Sequence, residues 1–127
     1  MRANGTFEVK LAPVAAHAEG LVGRMSIDKQ FEGDLAGVSK GEMLAVMSAV
    51  TGSAGYVAME HVTGKVNGRA GTFVLQHSST MDRGVATQSV TVVPDSGTGE
   101  LVGLEGSLRI IVEGKKHSYE FKYTLAR

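Results

Sequence analysis

The chain has no cysteine, which removes a disulfide framework, a thiolate nucleophile and a zinc–thiolate site, and suits a reducing compartment. It has no surplus of charge of either sign. Lys and Arg number 13 against 13 Asp and Glu, so no net field gathers nucleic acid or an anionic membrane. No apolar run approaches the roughly 20 residues of a membrane helix. The opening MRANGTFEVK also lacks the apolar stretch of a signal peptide. A cytoplasmic protein with neither nucleic-acid nor membrane partners is expected. At 127 residues the chain suffices for one domain, 1–127, around one core.

What the chain does have is glycine, 17 residues of it, with frequent Thr, Val and Ser. That mixture predicts short strands joined by tight turns. Period-two alternation between turn signals gives about eight strands: residues 5–11, 23–34, 40–50, 55–66, 69–80, 85–93, 105–112 and 117–125. In the last, Tyr119, Phe121, Tyr123 and Leu125 share one face, while Ser118, Glu120, Lys122 and Thr124 share the other. In the second, Met25, Ile27, Phe31 and Leu35 fall on the apolar face and Lys29 falls among them. Pro13 with Ala15 to Gly20 reads as the longest loop, Val93 to Gly97 as a turn, and Glu113 to Lys116 as the last hairpin. Consecutive antiparallel strands without crossover helices can close, which removes exposed edges. The expected fold is therefore all-β, a closed or nearly closed antiparallel barrel.

One segment reads two ways. Ser39 and Glu42 have the spacing of a capping box, and MLAVMSAV after them suits an amphipathic helix. The same residues suit a barrel strand whose outer side is also covered. On that reading Met43 to Val50 leave both faces apolar, and a homo-oligomer is expected.

The candidate site comes from hairpin arithmetic. If Asn67 and Gly68 are the central residues of a type I′ turn, Val66 pairs with Arg69 and Glu60 faces Leu75. Phe73 and His77 are then diagonal neighbours of Glu60 on the same face, roughly 7 to 8 Å away between backbones. Tyr56, Ala58 and Val62 share that face, which is taken as the barrel interior. A carboxylate there must be paired or neutralised.

Two roles fit Glu60. It is a general acid or base tuned by burial and by His77, beneath a ligand pocket; or it is a structural plug paired with Lys29 or Arg69. Lys29 is accordingly a counter-ion, a snorkelling end residue or, if desolvated, a Schiff-base amine. The expected catalytic residues are Glu60 and His77. The expected ligand-binding residues are Lys29, Tyr56, Phe73, Leu75, Tyr119, Phe121 and Tyr123.

Other patterns carry no chemistry. His77, Ser78 and Asp82 hold the letters of a nucleophilic triad, but adjacent strand residues point to opposite faces, so His77 cannot serve Ser78. Gly97 to Gly103 is GxGxxxG before a strand, where a nucleotide loop requires a helix. The histidines at 17, 61, 77 and 117 have no metal-ligand spacing. Neither a metal nor another cofactor is expected.

The segments GTFEVK, Lys29-Gln30-Phe31-Glu32-Gly33-Asp34-Leu35, MEHVTGKVNGRAGTFVLQHSSTMDRG and VVPDSGTGELVGLEG resemble a bacterial family of unknown function whose fold is classed with the allene oxide cyclase barrels. The resemblance covers nearly the whole chain and is most specific from Glu60 to Gly106. It implies a barrel and moves residues 40–50 from helix toward strand. Allene oxide cyclases are oligomeric, cofactor-free isomerases with a mostly apolar barrel. The resemblance is at the level of the fold and carries no catalytic residue across. The expectation is a barrel that binds a small apolar ligand and acts as a cofactor-independent isomerase or cyclase; the alternatives are a non-catalytic binding module and a structural oligomeric barrel.

Overall fold

Alternation produces strands throughout the described residues. A computed structural model describes residues 1–14 and 22–125, so the loop expected over Ala15 to Gly20, with His17, lies outside the described residues. The strands are β1 (Arg2–Pro13), β2 (Gly23–Gly33), β3 (Leu35–Met47), β4 (Ala54–Val66), β5 (Arg69–Asp82), β6 (Val85–Val92), β7 (Leu104–Glu113) and β8 (Lys116–Leu125). Each pairs with the next, all antiparallel, and β1 pairs with β8 to close the barrel. An antiparallel barrel of about eight strands was expected, and a closed one of eight forms. No helix of the described residues is long and apolar enough to cross a membrane.

Two local readings change. Leu35 was expected at the end of the second strand; instead the chain reverses at Gly33 (φ 107) and Asp34, and Leu35 opens β3. It still points inward and is fully buried, because the tight reversal keeps its parity with Phe31.

The ambiguous segment is strand as far as Met47. Both capping-box residues have other partners: Ser39 faces inward, and Glu42 faces outward to Arg24 at 3.0 Å. β3 lies between β2 and β4, paired along its length with both, and these two ladders override a local helical preference. Gly41 is essential to this approach. Opposite Glu60, a Cβ on it would lie 2.0 Å from the Met59 carbonyl oxygen.

The interior divides along the barrel axis. The half at the Asn67–Gly68 end is filled by Phe31, Leu35, Val62, Val66, Phe73, Phe121 and Tyr123, with Phe73 stacked on Phe121 at 5.9 Å. A 3-10 turn over Gly99–Leu101, in the connection between β6 and β7, sends the buried Leu101 into the same core. Tyr119 ties this end together. Its hydroxyl accepts from the Leu35 amide at 2.9 Å and lies within donating distance of the Glu32 and Leu35 carbonyls.

The β6–β7 contact is the weak seam of the barrel. Their ladder registers only at Thr91 and Ser107. Further along, the Gln88 side chain stands in for the backbone. Its Oε1 accepts from the Ile110 amide at 2.8 Å, and its Nε2 donates to the Ile110 carbonyl at 3.1 Å.

Candidate functional site

The β4–β5 hairpin places the site. Asn67 (φ 46) and Gly68 (φ 84) take the two left-handed positions of the turn, Val66 pairs with Arg69, and Glu60 faces Leu75. His77 lies directly opposite Ala58. The small Ala58 side chain leaves its ring free to lean along the diagonal to Glu60, where Nε2 comes within 2.7 Å of Oε2.

Neighbouring strands complete the cluster. On β2, Lys29 places Nζ 3.1 Å from Glu60 Oε2. On β3, directly opposite Lys29, Ser39 donates its hydroxyl to Oε1 at 2.5 Å. Four consecutive strands thus each bring one polar group to a common point. The surroundings are dry: Glu60 is 0% exposed, Ser39 2% and His77 3%. The Lys29 ammonium also stands 4.9 Å from the centre of the Phe7 ring and 5.8 Å from that of Phe31, which favours its charge.

Electrostatics sets the charge of the carboxyl. Burial alone pushes the Glu60 carboxyl up, but the hydrogen bond from His77, the Lys29 charge and the Ser39 hydroxyl together hold it down at about 2. Glu60 is therefore a carboxylate at neutral pH and only accepts hydrogen bonds. His77 must donate through Nε2. Its Nδ1 has no hydrogen-bond partner among the described residues. A carboxyl held down in this way is a weak base at neutral pH, and its hydrogen bond to Nε2 orients the His77 ring.

Above the cluster, on the side away from the filled half, is a cavity of about 230 Å³. Its walls are Val9, Leu11, Ile27, Met43, Ala58 and Ile110, with Phe7 beside them, and its polar groups are Lys29, Tyr56, His77 and His117. The Tyr56 ring centre is 6.5 Å from that of His77. Burial and the Glu60 charge both push its phenol up, so it remains a neutral O–H.

Of the residues expected from sequence, Glu60, His77 and Lys29 meet, and Tyr56 joins them at the cavity. Phe73, Leu75, Tyr119, Phe121 and Tyr123 do point inward as expected, but they belong to the packed core, Leu75 directly opposite Glu60 and the others toward the filled half, and do not line the cavity. Alternation gives the face of a residue, not its height along the barrel. Arg69 stays at the hairpin end, and Lys29 is the partner of Glu60. Ser39 and His117 were missed. Ser39 was read as a cap, although its parity with Met43 was visible; His117 shares the parity of Tyr119 and was legible by the same rule. Among the described residues no group of three His, Cys, Asp or Glu side chains is placed to hold a metal ion.

Residues 3–123 match the model of the family described as protein of unknown function (DUF3224). The chain is also similar to a solved structure from Shewanella oneidensis MR-1, a DUF3224 family protein with unknown function. The two are 48% identical, with a TM-score of 0.94 over 100% of this chain and 98% of that one. No curated protein matches.

Proposed function

The chain belongs to the DUF3224 family, and we propose that it is a binding barrel for a small, mostly apolar molecule bearing one hydrogen-bonding group. The observation that carries this reading is the division of the interior: one half is packed solid, while the other keeps an apolar cavity whose floor is a buried charged cluster. Mouths of β-barrels are common places for small ligands, and the pocket opens at the barrel mouth, where Leu11 is 47% exposed. At about 230 Å³ it has room for roughly eight water-sized groups, below the ~300 Å³ at which common ligand pockets begin. The ligand is accordingly a small one.

Recognition would divide between the walls and the floor. Apolar walls take the body of the ligand. Lys29 has spent one donor on Glu60 and keeps others, His77 presents Nδ1, and Tyr56 offers a hydroxyl. A compound screen followed by thermal melts and ligand NMR tests the reading. Binding by the native protein, lost in Ala58→Leu, supports it. The absence of binding across small ketones, esters, alcohols and acids defeats it.

The homo-oligomer expected from the sequence belongs to the same proposal. Leu44, Val57 and Met59 are 46%, 50% and 52% exposed on the outer wall of β3 and β4, where they form one apolar patch. Sedimentation at micromolar concentration tests this. A monomer refutes it.

A further inference from the structure

We propose that His77, oriented by Glu60, is the acid–base group of a proton-transfer site for a small apolar ketone, with Lys29 as the donor to the enolate oxygen. This rests on the binding reading above and assigns the cavity a ligand class and a reaction.

Glu60 accepts from Nε2, so the neutral ring has its lone pair at the opposite nitrogen, Nδ1, which has no protein partner among the described residues. No described buried side-chain nitrogen or oxygen lacks a hydrogen bond. Nδ1 is therefore not enclosed; His77 borders both an outer-wall depression beside Gln76 and Ser78 and the apolar cavity, and its inward-facing ring opens on the cavity. A carboxylate that fixes the tautomer of a histidine whose other nitrogen faces a pocket is the base-and-orienter pair of acid–base sites. A structural plug has no need of it: the Glu60 charge is already balanced by Lys29, and Ser39 satisfies the second oxygen.

The second element is Lys29. Its ammonium borders the same cavity and has donors left after the bond to Glu60. A ketone whose oxygen meets Lys29 has its α-carbon directed toward the His77 side of the floor. In the forward step Nδ1 takes an α-proton, the C–H electron pair becomes the enolate double bond, and the carbonyl π pair moves to oxygen, where Lys29 stabilises it. In the return step Nδ1 gives the proton back, either to the same carbon or to the far carbon of a conjugated enolate. The second outcome moves a double bond. Atoms and charge balance, and His77 ends neutral.

Cyclohexanone in heavy water tests this directly. Exchange of its α-hydrogens is followed by NMR, with ligand-observed binding measured in the same tubes. The native protein should exchange them about 10²-fold faster than His77→Gln, a variant whose amide can still donate to Glu60. Ala58→Leu, which fills the space facing His77, should also fall to background; exchange that survives in both variants comes from elsewhere on the protein and overturns the proposal. Nitrogen-15 spectra of the native protein should show His77 protonated at Nε2, and an Nδ1–H form would overturn the role of Glu60. Binding without faster exchange overturns proton transfer alone. If neither cyclohexanone nor any other small ketone binds, the ligand class falls, and failure of the wider compound screen removes the binding reading with it.

Discussion

His77 Nε2 lies 2.7 Å from Glu60 Oε2, across a distance of 17 residues in the chain. Neither residue is a cross-strand partner of the other: Glu60 faces Leu75, and His77 faces Ala58. The contact is a diagonal one, made by a carboxylate long enough to reach and an alanine small enough to leave the way open. It sets the tautomer of the histidine and, with Lys29 and Ser39, makes burial of the carboxylate tolerable.

Glu60→Gln should destabilise the protein by on the order of 3–5 kcal/mol, because it leaves the Lys29 ammonium buried without its counter-ion. Urea denaturation measures the loss. Adding Lys29→Met to the same protein should recover part of it, since the stranded charge is then gone. Equal stability of the native and single-variant proteins would show that the ion pair contributes nothing.

Acid should weaken the native protein through the same group. The folded-state pKa of Glu60, about 2, lies below its ordinary value of 4.5, so the carboxylate favours folding by about 3 kcal/mol above pH 4.5. That contribution is lost as pH falls from about 4.5 to about 2. Denaturation curves taken across this range should show the difference between the native protein and Glu60→Gln shrinking as the pH is lowered. A constant difference contradicts the low pKa.

Tyr119→Phe should cost about 1–3 kcal/mol with little change in shape, since the Leu35 amide loses its acceptor in a buried place. Chemical denaturation gives the number. The cavity lies in the other half of the barrel, so ligand binding in the native buffer should persist.

Gln88→Ala should loosen the β6–β7 seam without unfolding the barrel. The side chain provides both hydrogen bonds to Ile110 where the strand ladder gives out. Hydrogen exchange at the Ile110 amide should speed up by roughly five- to tenfold, the equivalent of a lost bond of about 1–1.5 kcal/mol. Amides of β4, paired on both sides, should hardly respond.

The sequence by itself determined most of the strands, their antiparallel order and the meeting of Glu60 with His77. Those features depend on short-range rules: period-two alternation fixes faces, and one Asn67–Gly68 turn fixes the register of the hairpin it joins. It left open whether residues 40–50 were helix or strand, because a capping-box spacing and a strand pattern coexist there and only pairing with β2 and β4 decides. Tertiary structure also chose Lys29 over Arg69 as the counter-ion and brought in Ser39. Both depend on registers set by closing the barrel, through turns whose geometry no local motif announced. Finally, it divided the inward-facing aromatics. Phe73, Phe121 and Tyr123 fill one half while Tyr56 borders the cavity in the other, because a residue's height in a barrel follows from the stagger of all eight strands together, and alternation within one strand carries no record of that stagger.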